Sequence, residues 1–251
     1  MIRRRFYSSY KFPVDNGVYA VKWDGRLIPL SKADYQCISV AIVHDDHKIM
    51  IEKNEDSNQS YKTATSGLPD SSNKTYSFYW GEYGTDQIGI TNYDKVDGSN
   101  DFGFLKPEQD SYKGTPYLPD DVSSWTNGAL SDWDGKANSN VLKGVTTGGG
   151  SYTSYATAGH VLNTFLASAD AKGYDDWYIP SCGQLSLIYM YLISVNNALL
   201  AIGGQPLDTR YYWSSSEHSS NSGWIVLFNN GRTFTRYKRL TSSVRFVRDI
   251  E

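Results

Sequence analysis

YYWSSSEHSSNSGWIVLFNNGRTFTRYKRLTSSVRFVR, residues 211–248, decides the fold. Residues 223–228 (GWIVLF) read as one strand, with Trp224, Val226 and Phe228 on one side and Ile225 and Leu227 on the other. All five are apolar, so alternation alone does not choose the inner face; the bulk of Trp224 and Phe228 favours theirs. Asn229, Asn230 and Gly231 follow as a hairpin turn, because Asn-Gly supplies the positive φ that such turns require. Residues 232–237 form the returning strand and 244–248 a third, joined by a polar, basic connection. Upstream, a strand opens at Trp213 and ends at Glu217, and small residues make a loop over 218–222. With the bulky set inward, Ile225 and Leu227 stand exposed beside Arg232, Arg236, Tyr237 and Arg239. Aliphatic, aromatic and arginine groups together suit a binding patch. The alternative is a strand buried on both faces, its charges merely solvated at the ends.

Outward from this stretch, residues 154–172 carry a helix whose apolar face is Ala158, Val161, Leu162, Phe165, Leu166 and Ala169, stopped by Gly173. His160 lies beside that face and reads as structural. A short strand, 177–180, enters a second helix, with Ser181 as N-cap and Gln184 three residues on completing a capping box. Leu185, Ile188, Tyr189 and Leu192 give this helix its buried face, and a shorter helical piece over 196–202 ends at Gly203-Gly204. Nearer the N-terminus, hairpins are expected over 18–30, turning at Asp24-Gly25, and over 38–52, turning at His44-Asp45-Asp46-His47. That last tetrapeptide has metal-ligand chemistry, but it sits where a turn belongs and is read as one. Residues 54–74 are a polar surface loop, and 75–80 and 88–91 short strands. The Gly-, Asp-, Ser- and Pro-rich stretch 94–151 is expected to be irregular, anchored by Trp125, Trp133, Tyr112 and Tyr117.

Composition bounds the function. The 251 residues hold 39% hydrophobic and 14% aromatic side chains, 20 of them Tyr, enough to build a core. Abundant Tyr, Gly, Ser and Asn matches the chemistry of adaptable binding surfaces. A net charge of −3 gives no field for nucleic acid, so none is expected as a partner. No apolar run is long enough to span a membrane, so no direct insertion is expected. The basic start, MIRRRFYSSYKFPVDNG, lacks the apolar core of a signal peptide, which fits a virion component better than an exported adhesin. Cys37 and Cys182 fit no metal or redox spacing and read as two buried thiols.

No HExxH, GxSxG, P-loop or GxGxxG motif is present, and an enzyme is not expected. Cys182 at a helix N-terminus is the best nucleophile candidate, with His160 as its imaginable base. Neither a catalytic residue nor a metal or other cofactor is assigned.

WYIPSCGQLSLIY (177–189), Gly203-Gly204, YWSSSE (212–217), GWIVLF, NNG, Lys238 and VRFVR, in this order, resemble the variable proteins of diversity-generating retroelements. These are common in gut Bacteroidales and their phages. Their wider group includes DUF1566-type domains and the formylglycine-generating branch of the same fold. The motifs cover about the last third of the chain well; a looser likeness runs through GVYAVKWDG and AIVHDDHKIMIEKN.

The resemblance implies an α+β chain. Residues 1–16 would be a flexible or docking arm, 17–95 a β-rich N-terminal domain, and 96–251 a C-type-lectin-type domain with a long irregular insert over 96–151. It also implies a display function: a stable fold presents exchangeable side chains to a protein or glycan receptor, as a homo-oligomer or virion component, on a phage or cell surface. The positions that would contact ligand are His218, Asn221, Ser222, Ile225, Leu227, Asn229, Arg232, Phe234, Thr235, Arg236, Tyr237, Arg239, Leu240, Ser242 and Ser243. Trp213, Glu217, Trp224, Lys238, Arg245 and Arg248 would be framework, with Glu217 a salt-bridge partner for one of the basic groups. Adenine-directed variation does not readily produce Trp, Glu, Gln, Met or Lys. Over 211–248 such residues stand only at Trp213, Glu217, Trp224 and Lys238. Phe246 departs from the small residue or Pro associated with its slot. Gln205-Pro206-Leu207-Asp208 resembles the calcium and sugar motif of animal C-type lectins but has an inserted Leu and lacks the accompanying carboxylates, so no calcium-dependent sugar site is expected. A fixed fimbrial or tail subunit and an enzyme of the formylglycine-generating branch are the other readings of the same fold; the active-site cysteine arrangement of that branch has no match here.

Overall fold

The computed structural model describes residues 15–54, 78–106, 118–152 and 156–250. The expectations for residues 1–14, most of the 54–74 loop, Tyr112 and Tyr117 lie outside them.

Mixed α+β architecture is what the chain adopts. The N-terminal portion supplies β1 (Gly17–Lys22), β2 (Leu27–Pro29), β3 (Cys37–His44) and β4 (His47–Glu52). Alternating β-branched residues in β3 (CISVAIVH) suit a pleated surface buried on both faces. His44 opposes His47 across a tight turn in which Asp45 takes φ 51°, so HDDH does turn the chain. The His44 ring nitrogen Nδ1 lies 2.7 Å from the Tyr191 hydroxyl, and the His47 ring stacks on Trp133 at 3.5 Å.

Next come β5 (Gly103–Phe104) and α1 (Gly135–Leu142), both inside the stretch expected to be irregular. Polar GKANSNVL carries no apolar stripe and so gives no helical signal. Helix α1 instead exists by close approach: a Cβ on Gly135 would lie 2.2 Å from Gln184 Oε1 and 2.7 Å from the Ser181 nitrogen. No strand forms over 88–91. Ile90 nitrogen donates to Gln87 oxygen in a turn, Gly89 has φ 102°, and Ile88 is 96% exposed.

Helix α2 (Ala158–Leu166) starts at Thr157, whose hydroxyl accepts from His160 nitrogen, and gives way to a 3-10 turn at Ala169–Ala171. The capping box holds: Ser181 and Gln184 open α3 (Cys182–Met190). Rather than showing one apolar face, α3 is buried from Cys182 through Tyr189. A helix buried on every side, Gln184 and Ser186 included, lies inside the core. α4 (Leu192–Ala201) follows with only a one-residue break, so the second helical piece begins earlier than 196. Among the described residues no single helix is long and apolar enough to cross a membrane.

The chain ends in β6 (Tyr211–Ser219), β7 (Ser222–Leu227), β8 (Arg232–Tyr237) and β9 (Val247–Asp249). Two antiparallel sheets result, one in the order β2-β1-β3-β4-β9 and the other β5-β8-β7-β6. The expected third strand over 244–248 is thus shifted and reassigned. It does not return to its neighbours but completes the N-terminal sheet, with Ile51 opposite Val247 and Ile49 opposite Asp249. The line drawn at 95/96 is bridged in a second way: Ala20, Val40, Ile42 and Ile51 share one hydrophobic cluster with Leu187, Ile188, Trp224, Val226 and Val247.

Candidate functional site

Three indoles pin the terminal hairpins by donating to backbone oxygens. Trp213 Nε1 donates to Phe78 at 2.7 Å, Trp80 Nε1 to Ser214 at 2.6 Å and Trp224 Nε1 to Tyr93 at 2.8 Å. Between β6 and the end of β8, Lys238 Nζ pairs with the Glu217 carboxylate and donates to Thr85 oxygen at 2.7 Å. Glu217 also accepts from the Gln87 nitrogen at 3.1 and 3.0 Å. The ammonium sits 4.8 Å from the centre of the Trp80 ring. Both partners are fully buried. Burial pushes the Glu217 carboxyl up and the Lys238 amine down, and the pairing opposes both shifts. Buried Arg245 donates through Nη2 to the oxygens of Glu52, Lys53 and Gln205, at 2.9, 3.2 and 2.8 Å. Arg248 forms a fork with Asp176 at 2.9 and 2.8 Å. Phe246 turns inward, its ring 4.6 Å from that of Phe165.

The contact positions expected from sequence divide by exposure. Asn221, Asn229, Tyr237, Arg239 and Leu240 are exposed; His218, Leu227, Arg232, Phe234, Thr235 and Arg236 are half-buried. Ser222, Ile225, Ser242 and Ser243 are buried, and for these the expectation of surface contact is corrected. Ile225 lies in register between Trp213 and Phe234 and packs into the cluster of Trp80, Val161 and Phe246. Strand β7 is therefore nearly the doubly buried one, with only Leu227 reaching the surface in part. Ser222 closes the β6–β7 turn opposite Ser219 and Tyr237. Ser242 exchanges two backbone hydrogen bonds with Phe78, at 2.8 and 3.1 Å, and Ser243 is wedged against β6 by bonds to Tyr211 and Trp213.

What remains accessible is a surface of arginines over rings. The Arg232 guanidinium carbon lies 4.6 Å from the centre of Phe234 and 5.0 Å from that of Phe102. Arg236 lies 4.5 Å over Tyr211, and Arg239 4.8 Å over Tyr83 and 5.4 Å over Tyr237. Phe102 and Phe104, whose rings meet edge to face at 6.4 Å, and Tyr83 and Tyr211 were not among the expected contacts. The alternating aromatics of FGF at 102–104 are the one local signal for the first two, inside a stretch that otherwise reads as loop.

Cys182 is fully buried, and burial together with nearby Asp132 pushes its thiol pKa up, which disfavours the thiolate a nucleophile needs. Its backbone nitrogen donates to Ser216 Oγ at 2.8 Å, and that hydroxyl donates in turn to Asp132 at 2.6 Å. Among the described residues no group of three or more His, Cys, Asp or Glu side chains could hold a metal ion.

No family model matches the sequence, and no curated protein matches it. Among solved structures the chain is similar to a fimbrial protein from Bacteroides ovatus ATCC 8483, with 16% identity and a TM-score of 0.48. The likeness covers 94% of this chain and 49% of that one, so the chain spans about half the length of its neighbour. A likeness of this order defines neither family nor function.

Proposed function

We propose that the chain is a recognition protein of a cell or virion surface. A rigid C-type-lectin-type frame presents accessible side chains of 218–240 to a protein or glycan receptor. The retroelement resemblance makes these the exchangeable positions. The observation that carries this reading is the partition within one short stretch. Trp213, Glu217, Trp224, Lys238 and Arg245 are fully buried. Positions interleaved with them, Asn221, Asn229, Tyr237, Arg239 and Leu240, are exposed. Side chains of the second kind can change without disturbing the hydrogen bonds of the first.

Deep sequencing of the 3′ end of the coding region across a natural population tests this reading. Changes are expected to cluster at the accessible positions and to spare the buried five together with Ser222, Ile225, Ser242 and Ser243. Variation spread evenly, or confined to silent changes, would instead mark a fixed structural or adhesive subunit.

A further inference from the structure

Arg232 and Arg236 have no carboxylate partner among the described residues. Neither Nε has a hydrogen-bond partner, and the bond from Arg236 Nη2 to Thr241 oxygen, at 3.3 Å, is long. Acids are not scarce, since the chain holds 27 Asp and Glu against 24 Lys and Arg. Elsewhere cations find them: Lys22 pairs with Asp34, Lys95 with Asp101, Lys106 with Asp120 and Arg248 with Asp176. Instead these two guanidiniums rest on rings, Arg232 on Phe234 and Phe102, and Arg236 on Tyr211. Such stacking holds a guanidinium in place while consuming none of its N–H donors. Burial lowers the Arg236 pKa, and nearby Tyr211 opposes that shift.

Position on the sheet orders these groups in a row. Arg232, Phe234 and Arg236 share one face of β8, where Phe234 opposes buried Ile225 and rests partly on its cluster, and the register sets Arg232 beside Leu227, with Tyr211 one strand further on. Four residues of strand separate the backbones of the two arginines by about 13 Å, and their guanidiniums flank a pair of rings, Phe234 and Tyr211, whose centres lie 6.1 Å apart. Phe102 and Tyr211, each 36% exposed, extend the rings beyond the strand.

We propose that this face is a subsite for a linear acidic polysaccharide. The acid groups of the chain would meet Arg232 and Arg236, and the C–H faces of the intervening sugars would lie on Phe102, Phe234 and Tyr211. The proposal rests on the recognition reading above and names its ligand class. Two cations flanking a pair of rings fit a stiff polymer whose acid groups are set around flat apolar faces. An acidic peptide offers the carboxylates but no rigid flat surface for the rings. A single-stranded nucleic acid offers both as well, but it carries a phosphate at every nucleotide while this face holds two cations, and oligothymidylate makes it an outcome of the test.

The test uses the full chain, immobilised, against polygalacturonate, heparin fragments, neutral dextran, polyglutamate and oligothymidylate, at low and physiological salt. Binding is expected to polygalacturonate, which carries carboxylates alone, or to heparin, which adds sulfates, and is expected to weaken with salt. Arg232→Ser with Arg236→Ser should weaken it by about tenfold or more at an unchanged unfolding temperature. Arg232→Lys with Arg236→Lys, which keeps charge but loses the planar fork, should weaken it as well. The proposal is overturned if neither acidic polysaccharide binds better than dextran, if polyglutamate or oligothymidylate binds as tightly, or if the serine variant binds undiminished. Failure of the polysaccharides while natural copies vary at this face would remove the ligand assignment and leave the recognition reading standing.

Discussion

Lys238 and Glu217 show what a single pair does here. Each is fully buried, and a buried charge is tolerated only while its partner and hydrogen bonds remain. Through Thr85 and the Gln87 nitrogen the pair also ties the 85–87 segment to the ends of β6 and β8. Replacing one member should therefore cost about 3–5 kcal/mol, whereas Glu217→Gln with Lys238→Met should cost clearly less than the two single changes added together. Denaturant unfolding of the four proteins gives the cycle. Single variants within about 1 kcal/mol of the parent would assign the pair the small weight of a surface ion pair. Arg232 and Arg236 are the opposite case, half-buried cations with no acid partner among the described residues.

At the scale of elements, the β7–β8 hairpin depends on one residue that cannot be exchanged. Gly231 has φ 72°, and a Cβ there would lie 2.4 Å from the Tyr189 ring and 2.6 Å from Leu105 oxygen. Gly231→Ala combines left-handed strain with a clash against a packed ring and a backbone atom, and should destabilise by about 1–3 kcal/mol, read from thermal or urea unfolding. A change below about 0.5 kcal/mol would mean that the turn relaxes freely. This turn was legible in Asn229-Asn230-Gly231, as was the start of α3 in Ser181 and Gln184, because both signals are local. Three features were not. All-apolar GWIVLF has no period to show that Ile225 is as buried as Trp224. Polar GKANSNVL gives no sign of α1, which is held by contacts with Ser181 and Gln184 distant in sequence. Nothing within VRFVR shows that its end pairs with Met50 and Ile51 rather than with a neighbouring strand. The candidate face was half legible for the same reason: Arg232, Arg236, Tyr237 and Arg239 stand in the quoted stretch, while Phe102 arrives just ahead of β5, from another part of the chain.

Across the whole molecule, β9 seals the N-terminal sheet and one hydrophobic cluster joins Ile42 and Ile51 to Trp224 and Val247. Unfolding is accordingly expected as a single transition, with tryptophan fluorescence and far-ultraviolet dichroism coinciding; two separated transitions would mean that the portions on either side of 95 fold on their own. On the proposed reading, a shared core of this kind would carry the fold while exposed side chains of 218–240 are exchanged. The most direct test is a saturation scan of residues 211–248 in the full chain, with resistance to protease as the measure of folding. The account predicts that Asn221, Asn229, Arg232, Arg236, Tyr237, Arg239 and Leu240 accept most side chains, while Trp213, Glu217, Trp224, Ile225, Lys238 and Arg245 accept few. Equal intolerance in the two groups would contradict it, making the arginine-and-ring face part of the frame rather than what the frame presents.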